Sequence, residues 1–276
     1  MSADVTVDIN EGVAVLTLNR PDHLNAYTAD MGRLLSRAYE ECDGDDDVRA
    51  IVVTGAGRAF CVGADFSGSI SPFEAPPDDS TFTASPINPA AFELRKPVIA
   101  ALNGHAIGIG LTIALQADIR IVAEDAKYGV VQVRRGVIPD CMSHWTLPHL
   151  ATLGVAAEVL LTGRTFTGAD AVAFGIANRA LPGEQVLGHA VEMARDIAAH
   201  VAPMSAALCK RLLWDSAINN YGPRQVASLE TQLHHRVMGT ADAREGVTAF
   251  LDRRPPRFSS RLSADWTALP DPEPEP

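Results

Sequence analysis

The stretch from Lys96 to Asp118 brings together residue types that could stabilise charge. An apolar β-branched run, Val98–Ala101, ends near Asn103-Gly104, a turn spaced by Gly104, Gly108 and Gly110 follows, and a helical segment, Leu111–Gln116, comes next. A strand that stops at glycines just before a helix leaves backbone N–H groups unpaired and pointing outward. Such a place suits an oxygen carrying negative charge, either a phosphate or an enolate formed during a reaction. The dinucleotide reading fits poorly. Gly104-x3-Gly108-x-Gly110 is not the G-x-G-x-x-G spacing, Gly55-Ala56-Gly57 lacks its third glycine, and no Walker lysine-serine pair occurs.

The elements that must position this turn alternate between strand and helix. Val5–Ile9 and Val13–Leu18 alternate apolar and polar residues around Glu11-Gly12, which predicts an antiparallel hairpin. Thr28–Cys42 has helical periodicity, Ala50–Thr54 reads as a short buried strand closed by Gly55, and Ile119–Ala123 is a further strand. This alternation predicts an α/β fold with a parallel sheet and crossover helices. From about residue 146 the pattern is helical: Leu147–Leu153, Ala156–Thr162, Ala169–Phe174, Gln185–His200, Ala206–Asn219 and Val226–Met238. The proline-rich Ser67–Pro89 reads as a functional or mobile loop, and Pro270–Pro276 as a disordered acidic tail.

Composition narrows the partners. The 276 residues suit one large domain, or one plus an appendage, and a hydrophobic content of 47% supports a sizeable core. A formal charge of −11 argues against nucleic acid, so an anionic ligand would need locally gathered arginines. The four cysteines, Cys42, Cys61, Cys141 and Cys209, lie far apart without metal spacing, as expected of free thiols in a reducing compartment. Met1-Ser2-Ala3-Asp4 opens no signal sequence and no apolar run reaches membrane-spanning length. The expectation is a cytoplasmic protein with no membrane partner and no metal.

Five segments match one family in order. They are Leu18-Asn19-Arg20-Pro21 with Asn25-Ala26, Gly57 to Asp65, Lys96 to Gly104, Phe174 to Asn178, and Asp242-x-x-Glu245-Gly246-x-x-Ala249-Phe250. Together they resemble the enoyl-CoA hydratase/isomerase (crotonase) superfamily over roughly residues 5 to 258. The resemblance implies a spiral of β-β-α turns over residues 1–200, a helical trimerisation region over 201–258, and an extended or disordered tail over 259–276. It also implies a homotrimer or a dimer of trimers, with coenzyme A as part of the substrate and no separate cofactor. Its chemistry holds the enolate of an acyl-CoA thioester with two backbone N–H groups, which by position resemble those of Ala64 and Ile109. Asp65, Gly108, Gly110, Thr112, Gln132 and Arg58 fall around the same ligand.

The departures matter as much. The two positions at which hydratases of this family carry glutamate correspond here to Thr112 and Gln132, and neither can shuttle a proton near neutral pH. Asp140, eight residues beyond Gln132, resembles the aspartate of dienoyl-CoA isomerases and of 4-chlorobenzoyl-CoA dehalogenases. It is the candidate proton shuttle, and its alternative role is a helix N-cap with Ser143 three residues on. One carboxylate suffices to move a proton between carbons, whereas adding water is easier with two; a water held by Gln132 with Asp140 as base keeps hydration open. The rival from another class is a non-catalytic acyl-CoA carrier that kept the oxyanion turn.

Other side chains have two readings each. Arg134 and Arg135 could approach an acidic acyl group or form surface ion pairs, and His105 and His144 stay unassigned. Trp145 and Met142 could line an acyl pocket or fill the core. Arg20, Arg58 and the Arg253-Arg254-x-x-Arg257 cluster are the cations available to the coenzyme A phosphates, although Asp65, like Asp118, reads as a residue that holds a loop.

Overall fold

The computed structural model describes residues 3–67 and 82–270. The middle of the Ser67–Pro89 loop and nearly all of the Pro270–Pro276 tail lie outside the described residues.

The hairpin forms as the alternation requires, with β1 (Val5–Asn10) antiparallel to β2 (Val13–Leu18). Thr28 caps α1 (Ala29–Gly44), its hydroxyl accepting the Met31 N–H. Three strand pairs follow: β3 (Ala50–Gly55) with β4 (Ala59–Cys61), β5 (Val98–Leu102) with β6 (His105–Ile107), and β7 (Ile119–Ala123) with β8 (Lys127–Gly129). A helix, α2 (Ile109–Ala114), separates the second pair from the third. The chain then runs through α3 (Ser143–Leu150), α4 (Leu153–Thr162), β9 (Phe166–Thr167), α5 (Gly168–Ala173) and β10 (Arg179–Leu181). Five further helices complete it: α6 (Gly183–His200), α7 (Pro203–Ile218), α8 (Pro223–Val237), α9 (Ala241–Asp252) and α10 (Leu262–Asp265).

The first strand of each pair joins a six-stranded sheet, ordered β1-β2-β3-β5-β7-β10, and the second joins a four-stranded sheet, β4-β6-β8-β9. From β2 onward the large sheet is parallel. β3 and β5 are buried along their whole length, which is why they read as continuous apolar runs rather than alternating ones. α6 lies across β2, β3, β5 and β7, meeting the sheet through Val186, Ala190 and Ala194. The chain therefore winds as a spiral of β-β-α turns, and the parallel strands β4, β6 and β8 end side by side.

The sequence reading assigns no strand to β4, β6, β8 or β9 and no helix to α9. Thr240, whose hydroxyl accepts the Ala243 N–H, caps that last helix. Residues 259–270, read from the sequence as an extended or disordered tail, make contacts with the rest of the chain. Asp242 accepts the Ser259 N–H at 2.7 Å, Asp46 accepts the Ser263 N–H at 3.0 Å, and Leu262 is buried between them. Asp118 ties the helical layer to the sheet. It accepts the Val98 N–H, the Trp214 indole N–H and a 2.8 Å ion pair from Lys210, whose side chain is 5% exposed.

Candidate active site

The exits of β4, β6 and β8 deliver three pieces of main chain to one place, because these strands are parallel neighbours. After β4, the Tyr27 N–H donates to the Gly63 carbonyl at 2.7 Å and the Asp65 N–H donates to the Tyr27 carbonyl at 2.9 Å. Ala64 is the bridge residue between those two bonds, so its own N–H is turned away from Tyr27. After β6, Gly108 takes φ +57°, ψ −127° and its N–H donates to the Gly129 carbonyl at 2.8 Å. Ile109 then begins α2, where the first amides of a helix have no intrahelical acceptor. Among the described residues, neither the Ala64 nor the Ile109 N–H has a protein acceptor.

The two turns touch through glycine. A Cβ on Gly108 would lie 3.8 Å from Gly63 Cα and 3.8 Å from the Gln132 side-chain amide, while a Cβ on Gly110 would lie 2.2 Å from the Cys61 carbonyl oxygen. The second distance is impossible for any other residue, so α2 must carry glycine there to approach β4. Ile109 is buried and belongs to the hydrophobic core.

The third exit leads to Gln132, which is 8% exposed and opens a 3-10 turn closed by Gly136 in the left-handed region. Gln132 Nε2–H donates to Asp140 Oδ1 at 3.1 Å, and the Thr112 hydroxyl donates to the same oxygen. The Asp140 side chain does not cap α3, whose N-cap is Met142 without a side-chain bond; only the Asp140 carbonyl accepts the Ser143 N–H. Burial pushes the Asp140 carboxyl above its ordinary value, while the Thr112 and Gln132 hydrogen bonds pull the other way. Both donors share Oδ1, and the Asp140 N–H and the Cys141 thiol also bond the carboxyl. The loop that carries it turns through two consecutive non-glycine residues in the left-handed region, Cys141 at φ +47° and Met142 at φ +58°.

Other predicted residues sit elsewhere or serve the frame. Asp65 accepts Arg20 Nη2–H at 2.8 Å, and bonds from Ser67 together with that guanidinium hold its carboxyl well below the usual carboxylate range. Arg20 also donates to the Ala26 carbonyl and pairs with Asp4 at 3.5 Å, so it braces the loop before α1 and is not a free cation. Arg58 is exposed on the turn between β3 and β4 and, among the described residues, has no ion-pair partner. Arg254 forms a bidentate pair with Glu245 at 2.7 and 2.9 Å, and Arg253 ends α9 at φ +55°. Arg134 donates to the Thr162 carbonyl at 2.7 Å and Arg135 is exposed, so neither reaches Asp140. His105 Nδ1 accepts the Lys127 N–H and His144 is exposed on α3. Trp145 packs on Phe92 and Trp214.

Sequence reasoning passed over Tyr27 and Cys141. The Tyr27 phenol is raised far above its usual range, by burial first and then by the negative charge of Cys141, Asp140 and Cys61. Burial pushes the Cys141 thiol up to about 12 and the Cys61 thiol up to about 11, which keeps both from acting as thiolates. The available signals were position alone: Tyr27 directly follows the Asn25-Ala26 motif and Cys141 follows Asp140. Among the described residues, no group of three or more His, Cys, Asp or Glu side chains is placed to hold a metal ion, and no helix is long and apolar enough to cross a membrane.

The family model described as enoyl-CoA hydratase/isomerase matches residues 8–261. A 1,2-epoxyphenylacetyl-CoA isomerase of Escherichia coli K12 is 35% identical over 92% of this chain and 97% of that protein. The enoyl-CoA hydratase ACTT3 of Alternaria alternata is 33% identical over 91% of this chain and 84% of that protein. The crystal structure of a probable enoyl-CoA hydratase/isomerase from Mycobacterium abscessus superimposes with a TM-score of 0.90 at 54% identity, covering 93% of this chain and 99% of that one.

Proposed function

The chain belongs to the enoyl-CoA hydratase/isomerase family, and from that premise we propose that it shifts a double bond along an acyl-CoA thioester using one carboxylate, Asp140. The observation that carries this reading is that Thr112 and Gln132 both donate to Asp140 Oδ1, which leaves one oriented, half-buried acid-base group beside the paired turns.

In this mechanism the thioester oxygen sits between the Ala64 and Ile109 N–H groups. Asp140 Oδ2 takes a proton from a carbon of the acyl chain, the C–H electron pair passes into the enolate, and the oxygen gains negative charge where the two donors point. The same oxygen of Asp140 then returns the proton to a different carbon, so no group is gained or lost. Each main-chain donor contributes roughly 10²–10³-fold in rate, and the base about 10²–10⁴-fold. Gly108 and Gly110 let the turns approach, Asp65 and Arg20 hold the first of them, and Arg58 is the exposed cation nearest in sequence for a phosphate of coenzyme A.

The relative named as a 1,2-epoxyphenylacetyl-CoA isomerase supports a reaction without net addition of water. Hydration is the second reading, and the observation in its favour is that the Gln132 side-chain oxygen is buried without a partner. Assembly as a trimer or dimer of trimers is supported by an exposed apolar row on α9, where Val247, Phe250 and Leu251 are 62%, 80% and 72% exposed.

The test incubates the protein with 2-enoyl-, 3-enoyl- and dienoyl-CoA esters in deuterated water and follows products by mass. Deuterium uptake without gain of water, abolished in Asp140→Asn with ester binding retained, is the expected result. Turnover that survives Asp140→Asn overturns the role of Asp140, and binding without exchange on every ester identifies a carrier instead.

A further inference from the structure

Asp140 leads into a turn that must be held from outside. Cys141 and Met142 both sit in the left-handed region, a conformation that a non-glycine residue keeps only where its surroundings fix it. The main chain supplies part of that hold: the Cys141 N–H donates to the Ala84 carbonyl at 2.8 Å, and the Ser143 N–H donates to the Asp140 carbonyl at 3.0 Å. The Cys141 carbonyl is met by a side chain instead, Gln116, whose Nε2–H donates to it at 3.2 Å. Among the described residues, this is the only hydrogen bond from a side chain to the main chain of residues 139–142.

Gln116 lies one turn beyond Thr112. Its N–H donates to the Ile113 carbonyl at 3.1 Å, so the chain past α2 stays coiled and the two side chains, four residues apart, leave the same face. They grip neighbouring residues. Thr112 bonds the Asp140 carboxylate, and Gln116 bonds the carbonyl of Cys141, whose thiol also bonds that carboxylate.

The far end of the Gln116 amide is unpaired. A carbonyl only accepts, so the NH2 must face Cys141. Oε1 is then left buried without a partner among the described residues, on a residue that is 0% exposed. An orphan acceptor of this kind costs about 1–3 kcal/mol, and its chain neighbours Leu115 and Ala117 are buried apolar residues. A methionine would fill the same space without that penalty. Packing alone therefore does not account for an amide here.

We propose that Gln116 is a positioning residue for Asp140: through the Cys141 carbonyl it pins the left-handed turn, so that the carboxylate meets the Thr112 and Gln132 donors. This role rests on the proton transfer proposed for Asp140. Gln116 itself makes no hydrogen bond to the carboxylate.

The test compares the full wild-type chain with Gln116→Met, which is close in length, and Gln116→Leu, which is shorter and covers the case that methionine overpacks. Hydrogen exchange of residues 137–146, followed by mass, reports on the turn. Turnover of the enoyl-CoA ester that wild type converts fastest gives kcat and KM, and thermal melts report global stability. In both variants the turn should exchange about ten-fold faster while other segments keep their protection. Displacing a reacting group by about 1 Å costs on the order of 10²-fold in rate, so kcat should fall roughly 10- to 100-fold with KM near its wild-type value. The melting temperature should hold or rise, because the orphan oxygen is gone. Thr146→Val removes another unpartnered hydroxyl from a fully buried residue, on α3, and should leave both the turn and kcat unchanged.

The role of Gln116 is overturned if the turn exchanges at the wild-type rate in both variants, or if kcat is unchanged while Asp140→Asn abolishes turnover. A lower melting temperature with faster exchange everywhere also overturns it, since that marks packing only. Turnover that does not need Asp140 removes the proton-transfer reading instead, and faster exchange confined to the turn then still upholds the hold of Gln116 on it.

Discussion

The Thr112 hydroxyl donates to Asp140 Oδ1 at 2.5 Å across 28 residues of chain. Gln132 donates to the same oxygen from 8 residues away. The two positions at which the resemblance places glutamates therefore serve a third residue, and the site holds one carboxylate with two neutral partners. Such an arrangement fixes the orientation of the carboxylate without adding a second negative charge beside the paired turns.

With Asp140 in the role proposed for it, its raised carboxyl sets the pH dependence of turnover. The base form is the ionised one, so kcat/KM should fall as pH drops through the raised Asp140 value and level off above it. A plot of log kcat/KM against pH should show one acid limb of slope 1, and Asp140→Asn should remove that limb together with the activity.

The same shift has a stability consequence of opposite usefulness. A carboxyl raised in the folded state binds more protons there than in the unfolded chain between the two pKa values, so stability falls as pH rises through that window. Asp140→Asn keeps an acceptor for Thr112 and Gln132 and removes the buried charge. It should raise the melting temperature at neutral pH by a gain on the order of 1 kcal/mol, and the gain should close as pH approaches the ordinary carboxylate range. Thermal melts of both proteins at pH 4 and pH 7.5 measure the difference.

Gly110→Ala tests the contact between the turns. Its new methyl would sit 2.2 Å from the Cys61 carbonyl oxygen, which is main chain and cannot rotate away. A cost of about 1–3 kcal/mol in stability is expected from such overpacking. A far larger loss in kcat is also expected, because the shift falls on the turn that carries Ile109. A variant with wild-type kcat would show that the turn spacing is irrelevant to turnover.

Asp118→Ala leaves Lys210 buried without its carboxylate, although two carbonyls at 2.8 Å remain. Removing one partner of a buried pair costs roughly 3–5 kcal/mol. Denaturant unfolding should show that loss, with the Trp214 fluorescence reporting it directly because the indole N–H donates to the same carboxylate at 2.7 Å.

Much of the fold was legible because the relevant segments are long or chemically plain. The hairpin alternates, β3 and β5 are unbroken apolar runs, and α1 announces its start at Thr28. The second sheet was not legible: β4, β6 and β8 are three residues each, too short for a period to show. At the site, the glycine turns stood out locally, while the convergence of Thr112 and Gln132 on Asp140 depends on side chains from different strand exits. From the sequence Arg20 reads as a cation available to a phosphate, but Asp65 and Asp4 already engage it. A pairing across 45 residues leaves no trace in local spacing.

The Ala64 and Ile109 amides belong to the main chain, and this shapes what mutational surveys can see. An alanine scan across the site would register Asp140 and Gln132, yet position 64 is already alanine, and trimming Ile109 leaves its amide in place. Whether an N–H is present there does not depend on the side chain, although Ile109 also fills the core. Replacing either amide by an ester linkage through semisynthesis deletes the donor and spares the side chain, which makes it the direct way to weigh that half of the site.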